Sequence, residues 1–334
     1  METQLSICIP TYNREKYLKQ LLDCIERQLQ DIEKNIVEIC VSDNSSTDNT
    51  QQMIQQYQQK YNNITYFRWD KNMGADMNYL KVVEIAHGKY CWLFGSDDLM
   101  IDGAIKKMLE EIKEDCDIYL CNRVECDINM KQLKKSYIIN SSSQIFFLDD
   151  KKDLINYFKH LQSLNGLFTY LSSIVVKKNQ WDLIDFDKSF IGTAYVHSYI
   201  LLSLLNNNKI KLKYINDHLV LNRGNNDTFL CMGIVNRIKL DFEGFKLLFC
   251  KVFQDKNLNI YYEKLLKLAY PYYRILYILS KLNKGDRKKL LDIIKPARHN
   301  LIILNYGHIL YRIFPYYLCK LIYRKINELI GFIK

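Results

Sequence analysis

The first hundred residues alternate short apolar runs with stretches of helical character, and this alternation limits the fold more than any other feature of the chain. The apolar runs have the length of strands and lie at residues 5–10, 36–41, 64–69 and 90–94. The predicted helices between them lie at residues 15–29, 49–61 and 75–87. Short connections between such elements predict a mostly parallel sheet with helices on both faces. Ligands of such a sheet collect at the carboxyl ends of its strands.

The loop that follows the fourth predicted strand carries two adjacent carboxylates, Asp97 and Asp98. Such acids repel each other and lose hydration at the end of a buried strand, so a cation or a set of hydroxyl donors is expected to compensate them. We interpret the pair as a site for a divalent metal and a sugar nucleotide. A surface turn with two solvated acids is the alternative.

Charge is distributed unevenly along the 334 residues. Residues 1–100 have a net charge of −4 against +10 for the whole chain, and residues 263–334 alone have +11. Aromatic residues alternate with basic ones over residues 298–334, as in segments that lie on anionic membranes. A packed helical cap and contacts with nucleic-acid phosphates are the alternatives. Because no nucleic-acid-binding motif accompanies the charge, we expect no nucleic-acid partner.

Cysteine usage and the absence of targeting signals predict a cytoplasmic protein. The ten cysteines are scattered, and several lie inside apolar runs, which is typical of reduced core cysteines. No Cys-x-x-Cys pair accompanies Cys116, Cys121 and Cys126, so zinc is disfavoured there. We also expect no signal peptide, and no apolar run reaches the roughly 18–20 residues of a membrane span.

Four motifs occur in order along the first hundred residues: IPTYN at 9–13, VSDNSSTD at 41–48, NMG at 72–74, and GKY at 88–90 followed by LFGSDD at 93–98. Together they resemble the family 2 glycosyltransferases, which have the GT-A fold. The form of the last motif is most similar to abequosyltransferase-like bacterial members that build surface or lipid-linked glycans. The resemblance covers about residues 1–125 and fades afterwards.

The resemblance implies an α/β fold of GT-A type, with a Rossmann-like, mostly parallel sheet flanked by helices and a helical C-terminal extension. It implies a catalytic domain at 1–230, with a nucleotide-binding half at about 1–125 and an acceptor half at about 126–230. Residues 231–334 would form the basic, aromatic-rich helical region. The expected location is peripheral, on the cytoplasmic face of the bacterial inner membrane.

The resemblance also implies roles for individual residues around a nucleotide sugar, expected to be a UDP-sugar. Asp43 would accept a hydrogen bond from uracil, although helix capping is an alternative role for its loop, and Asp97 would lie near the ribose or sugar. Arg223, with Asn225, Asn226 and Asp227, could close over the diphosphate or form a plain turn. The full set of expected nucleotide-sugar-binding residues is Pro10, Thr11, Tyr12, Arg14, Asp43, Asn72, Asp97 and Arg223.

Asp98 is the expected ligand of Mg²⁺ or Mn²⁺, which would stabilise the departing nucleoside diphosphate. Ser96 stands where many relatives have the first acid of a DxD motif, so the site is poor in charge. An inverting transferase needs a base, and the corresponding stretch at 192–198 contains no acid. His197 is the candidate and Asp187 the reserve, while a buried structural histidine is the alternative.

The sequence therefore predicts an inverting, metal-assisted hexosyltransferase that acts on a hydroxyl of a glycan or polyprenyl-linked acceptor. A catalytically silent sugar-nucleotide-binding subunit is the alternative from another class, motivated by Ser96 and the missing acidic base. A nucleotidyltransferase shares the sheet architecture but would have a glycine-rich loop after the first strand, where this chain has Pro10-Thr11-Tyr12.

Overall fold

The computed structural model describes residues 2–207 and 209–295, in two compact units. The first unit contains the chain up to Asp227 together with Leu248–Asp255, and the second contains Thr228–Leu247 and the residues from Lys256 onward. The predicted membrane-binding segment at 298–334 lies outside the described residues.

A mixed, mostly parallel sheet forms the centre of the first unit. Its strands are β1 (Leu5–Thr11), β2 (Val37–Asp43), β3 (Ile64–Arg68), β4 (Tyr90–Leu93), β5 (Leu99–Met100), β6 (Ile118–Cys126), β7 (Gln132–Ser136), β8 (Gln144–Leu148), β9 (Ile174–Lys177) and β10 (Ile210–Arg223). Their order is β3-β2-β1-β4-β9-β6-β10-β5, with β7 beside β6 and β8 beside β10. The strands from β3 to β4 are mutually parallel, and β9 runs antiparallel to both of its neighbours. This sheet, flanked by helices, confirms the predicted fold class.

The helices of the described residues alternate with the strands in the first half and follow one another in the last part. They are α1 (Glu15–Leu29), α2 (Thr50–Lys60), α3 (Ala75–Glu84), α4 (Ala104–Glu111), α5 (Lys151–His160), α6 (Lys178–Trp181), α7 (Val196–Asn207), α8 (Ile234–Lys239), α9 (Phe245–Phe253), α10 (Lys256–Ala269), α11 (Tyr272–Lys281) and α12 (Lys284–Ile294). The apolar stripe of α1 is buried, as its spacing predicts.

All seven side chains of β1 are buried, because the sheet is covered on both faces. The core on this part of the sheet includes Ile7 and Ile9 of β1, Trp92 of β4, and Leu21 and Leu22 of α1. Burial on both faces explains why the sequence shows continuous apolar runs here and no alternation of polar and apolar residues.

Three details differ between the sequence pattern and the structure. The pattern at 171–176 predicts a strand, whereas the structure begins there with a 3₁₀ turn, Leu171–Ser173, and only then forms β9. The patterns at 210–215 and 219–222 predict two strands, whereas the structure has one strand, β10, with irregular pairing around His218. The strands β5, β7 and β8 are not predicted; β5 has two residues and β7 is largely exposed and polar, so neither has a recognisable pattern.

The described part of the second unit is helical. A π-helical turn, Leu240–Gly244, joins α8 to α9. Asp241 in this turn pairs with Arg237 at 2.7 Å and accepts a hydrogen bond from the hydroxyl of Tyr270. The ring of Phe245 stacks on Tyr262 at 5.5 Å. Among the described residues, no helix has the length and apolar character needed to cross a lipid bilayer.

Candidate active site

The loops after β1, β2 and β4 meet at the carboxyl edge of the sheet, as the sequence predicts. The backbone N–H of Asn13 donates to Ser46 Oγ at 2.9 Å, and Asn13 Oδ1 accepts from the N–H of Thr47 at 2.7 Å. These bonds join the first loop to the second. Arg14 then joins the first loop to the third through an ion pair with Asp97, with Nη1 and Oδ2 2.5 Å apart. The order β2-β1-β4 makes this convergence unavoidable, since neighbouring parallel strands end at the same edge.

Asp43, the expected uracil contact, lies at the end of β2 and is fully buried. Its Oδ1 accepts from the N–H and the hydroxyl of Ser46, at 2.9 and 2.6 Å. Its Oδ2 accepts from the hydroxyl of Tyr66 at 2.8 Å and lies 3.6 Å from Nε of Arg68. The carboxylate therefore organises its own loop and does not cap α2, which begins after Asn49 without a side-chain capping bond. A base contact would require the bonds of Asp43 to rearrange.

The remaining residues expected around the nucleotide lie at the same edge. Pro10 and Thr11 are buried at the end of β1, whereas Tyr12 is 38% exposed. Asn72 Oδ1 accepts from Asn44 Nδ2 at 2.9 Å, which holds the loop before α3 against the loop after β2. Of the expected nucleotide-binding residues in these loops, Tyr12 and Asn72 are exposed.

Asp98 is the more deeply buried of the two adjacent acids, and its carboxylate is fully hydrogen-bonded within the protein. Oδ2 accepts from the hydroxyls of Tyr170 at 2.5 Å and Ser172 at 2.6 Å. Oδ1 accepts from Asn222 Nδ2 at 3.2 Å and from the N–H of Arg223 at 3.0 Å. Four donors occupy the roughly four lone-pair positions of a carboxylate. This arrangement does not fit the expected role of Asp98 as the metal ligand; it fits a group that positions the loop.

Burial raises the pKa of Asp98 to about 6, and the neighbouring charge of Asp97 acts in the same direction. The hydrogen bonds from Ser172 and Tyr170 oppose the shift, because they stabilise the ionised form. Near pH 7 the carboxyl group is therefore ionised and accepts all four bonds.

Asp97 is the more accessible acid, with 18% of its side chain exposed. It lies at the carboxyl edge of the sheet, where the loops after β1, β2 and β4 meet, and we call this place the crevice. Besides the ion pair with Arg14, its Oδ2 accepts from Asn226 Nδ2 at 2.8 Å. Arg14 Nη2 donates in turn to the carbonyl of Asn226 at 3.1 Å. An anionic and a cationic side chain thus share the point where the three strand-end loops meet.

Arg223, expected to close over the diphosphate, is buried and its guanidinium is bound by protein acceptors. It donates to the carbonyls of Asp97 and Ile128, both at 2.8 Å, and to Gln20 Oε1 at 2.8 Å. Its guanidinium also lies over the ring of Tyr17, 4.6 Å from the ring centre. Through these contacts Arg223 stabilises the loop that carries Asp97.

A divalent cation at this site would have few protein ligands. No cluster of three or more His, Cys, Asp or Glu side chains suited to a metal occurs within residues 2–207 and 209–295. Asp97 supplies one hard carboxylate at the crevice, and Mg²⁺ sites of nucleotide enzymes often use one or two carboxylates together with phosphate oxygens. The residues therefore fit a cation that is bound jointly with a diphosphate through Asp97.

His197, the candidate base, is buried in α7 with 2% exposure. Burial lowers its pKa to about 3, and neither ring nitrogen makes a hydrogen bond of ordinary geometry within the described residues. A neutral ring with so low a pKa is a poor proton acceptor at pH 7, which favours the buried structural histidine left open above. Asp187, the reserve candidate, accepts from the N–H of Ser189 at 2.9 Å and caps a 3₁₀ turn, and this hydrogen bonding lowers its pKa.

Two groups of residues near the site were missed from the sequence. Tyr170, Ser172 and Asn222 anchor Asp98, yet they lie far from it along the chain in segments without a motif. Asp76 accepts from the N–H groups of Gly192 at 2.7 Å and Ala194 at 3.0 Å, which joins α3 to the segment before α7. An acid two residues after the NMG motif was the available signal for Asp76.

Comparisons with known proteins identify the family of the chain. The sequence profile "Glycosyl transferase family 2" matches residues 6–170. The abequosyltransferase RfbV of Salmonella typhimurium is 36% identical over 321 residues, which are 92% of this chain and 95% of that protein.

Two solved structures have the same fold at low sequence identity. S. aureus TarS in complex with UDP-GlcNAc aligns with a TM-score of 0.62 and 16% identity, over 88% of this chain and 80% of TarS. The mannosyltransferase PcManGT from Pyrobaculum calidifontis, in complex with GDP-Man and Mn²⁺, aligns with a TM-score of 0.55 and 14% identity, over 95% and 83% of the two chains. On the sequence match over nearly its whole length, the chain belongs to glycosyltransferase family 2, in the abequosyltransferase-like subgroup.

Proposed function

We propose that the chain transfers a sugar from a nucleoside diphosphate donor, with inversion, to a hydroxyl of a lipid-linked or surface glycan. The Asp97–Arg14 pair at the meeting point of the three strand-end loops carries this proposal. A guanidinium matches the geometry of phosphate oxygens, and the adjacent carboxylate suits a bound cation. Diphosphate binding would give Arg14 a further anionic partner in addition to Asp97.

A divalent metal, Mg²⁺ or Mn²⁺, would be held between Asp97 and the donor phosphates, and would supply Lewis-acid stabilisation of the departing nucleoside diphosphate. The chain's own residues then have distinct roles. Asn226 orients the Asp97 carboxylate through its amide, and Arg223 holds the backbone of Asp97 in place. The complex of PcManGT with GDP-Man and Mn²⁺ supports metal use in a protein of this fold.

The proposal covers donors with uracil and donors with other bases. UDP-GlcNAc is bound in a TarS structure and GDP-Man in the PcManGT structure, so the fold accepts different bases. In this chain Asp43 is engaged by Ser46 and Tyr66, so a uracil contact needs one of these bonds to open. UDP-sugars are the first candidates, because the family resemblance implies them and a protein of this fold, TarS, binds UDP-GlcNAc.

Acceptor binding is assigned to the half of the first unit that includes α7, and the proposed acceptor is a glycan or a polyprenyl-linked sugar. The excess of basic residues towards the C-terminus supports peripheral binding to the cytoplasmic face of an anionic membrane. Neither His197 nor Asp187 is carried into the proposal as the base, because the first is buried with a low pKa and the second caps a turn.

The proposal is tested by measuring nucleoside diphosphate release from UDP-glucose, UDP-GlcNAc, GDP-mannose and CDP-glucose, with and without Mn²⁺. We expect Asp97→Asn to lower turnover by about 100-fold, since Lewis-acid and phosphate contacts are worth several kcal/mol, and to remove the response to Mn²⁺. Asp102→Asn is the matched control, because Asp102 is 83% exposed and pairs only weakly with Arg27 at the surface.

Full activity of Asp97→Asn would contradict the assignment of the site. Binding of a nucleotide sugar by the wild type without release or transfer, on any acceptor tested, would favour the catalytically silent binding subunit. The fully occupied carboxylate of Asp98 is the observation that keeps this second function in view, because it leaves Asp97 as the one member of the adjacent pair that could hold a cation.

A further inference from the structure

Tyr79 on α3 lies beside the crevice but belongs to none of the motifs discussed above. The preceding residue places it there, because Asn78 Nδ2 donates to the carbonyl of Thr11 at 3.2 Å and to that of Ser42 at 2.8 Å. These carbonyls lie at the ends of β1 and β2. The first turns of α3 are therefore bound directly to the strand ends that form the crevice.

The acceptor-side segment is attached to the same turns of α3. The Asp76 carboxylate accepts from the N–H groups of Gly192 and Ala194, whose φ angles of 95° and 65° turn both donors towards it. The ring of Tyr79 packs edge-on against His197 of α7, with ring centres 5.4 Å apart and planes at 82°. Tyr79 is thus held between the strand ends and the start of α7.

The surroundings of the Tyr79 hydroxyl are those of the crevice. Burial raises its pKa, Asp76, Asp97 and Asp227 raise it further, and Arg14 opposes them. The hydroxyl stays protonated at neutral pH and is available as a donor. Within the described residues it makes no hydrogen bond to the protein. The hydroxyl is not one of the buried unpartnered atoms of the described residues, so it is accessible to water and to a ligand.

We propose that the Tyr79 hydroxyl donates a hydrogen bond to the transferred sugar of the bound nucleotide sugar, which makes Tyr79 a sugar-specificity residue. This inference rests on the proposed function. The nucleotide is assigned to the loops after β1 and β2, and the acceptor to the side of α7. The sugar must lie between the diphosphate, beside Arg14 and Asp97, and the acceptor hydroxyl. Tyr79 belongs to that interval, since its ring contacts α7 and the turn of α3 that carries it is bound to the ends of β1 and β2.

The test compares the affinities of a nucleotide sugar and of its nucleoside diphosphate for the full chain. UDP-glucose, UDP-GlcNAc, GDP-mannose and CDP-glucose are paired with UDP, GDP and CDP, and each dissociation constant is measured by calorimetry in Mg²⁺. Tyr79→Phe removes only the hydroxyl and keeps the ring that packs on His197. We expect it to raise the dissociation constant of the nucleotide sugar by about five- to tenfold, which corresponds to the loss of one hydrogen bond. The dissociation constant of the nucleoside diphosphate should change by no more than about twofold.

Tyr61→Phe is the matched control, because Tyr61 lies after α2, at the amino edge of the sheet, and is 36% exposed. It should leave both affinities unchanged. Equal weakening of nucleotide sugar and nucleoside diphosphate by Tyr79→Phe would overturn the inference, and so would no weakening of either. If the wild type binds none of the sugar nucleotides, the proposed function itself fails and this inference fails with it, whereas the other outcomes leave the function intact.

Discussion

Replacing Asp98 with alanine should destabilise the first unit, because the carboxylate is the shared acceptor of four donors. The hydroxyls of Tyr170 and Ser172 can turn towards other acceptors, but the amide of Asn222 and the backbone N–H of Arg223 cannot do so freely. A buried donor left without a partner costs about 1–3 kcal/mol, so these two donors account for about 2–6 kcal/mol. Removing the charge also relieves its repulsion from Asp97. We therefore expect a net loss of about 2–3 kcal/mol.

Thermal unfolding measures this loss. For a unit of this size 1 kcal/mol corresponds to about 2–4 °C, so Asp98→Ala should lower Tm by roughly 4–12 °C. Asp97→Ala is the matched control at the next position, and because Asp97 is more accessible and bonds to two side chains, against the four donors of Asp98, we expect a smaller decrease in Tm than for Asp98→Ala. Asp98→Asn keeps the volume and one acceptor oxygen, and should lie between the two. A Tm for Asp98→Ala within about 2 °C of the wild type, or a lower Tm for Asp97→Ala than for Asp98→Ala, would refute the assigned roles.

Two further predictions concern pH. The pKa of His197 is lowered to about 3, below its unfolded value of 6.5, so the wild type loses stability as pH falls below 6.5, by about 2 kcal/mol at pH 5. His197→Leu should remove that loss, seen as a smaller difference in Tm between pH 7 and pH 5; an unchanged difference would contradict the burial argument. Burial raises the pKa of Glu26 from 4.5 to about 7, so the stability it contributes is lost as pH rises through 7. Glu26→Gln should therefore raise the free energy of unfolding by about 1–2 kcal/mol at pH 8, which is measured as a higher Tm, and have little effect at pH 4. A lower Tm at pH 8 would contradict this prediction.

The order of strands and helices over the first hundred residues could be predicted because each element has its own local pattern. Strands buried on both faces read as continuous apolar runs, and α1 reads as an apolar stripe. The loop after β2 was also recognisable, because its Asp, Asn and Ser residues turn the chain. The strand β7 was not predictable in this way, since it is largely exposed and polar and exists by pairing with β6. The strand β8, which pairs with β10, was missed although its last four residues are apolar.

The roles of the two adjacent acids could not be separated along the chain. Asp97 and Asp98 are identical in chemistry and neighbours in sequence, yet one faces the crevice and the other points into the protein. Their difference comes from Tyr170, Ser172 and Asn222, which lie more than seventy residues away. The same holds for Arg223. The sequence predicts that it contacts phosphate, but its guanidinium donates to Gln20 and Ile128 and so holds the surrounding loops in place.

The sequence by itself determined the fold class, the family resemblance and the edge of the sheet where the site lies, because these depend on local periodicity and on motifs at strand ends. Only the tertiary structure decided which side chains at that edge are available to a ligand. Availability depends on the hydrogen-bond partners that distant segments bring to each group. Asp98 and Arg223 are fully bound by such partners, whereas Asp97, Arg14 and Tyr79 border the crevice.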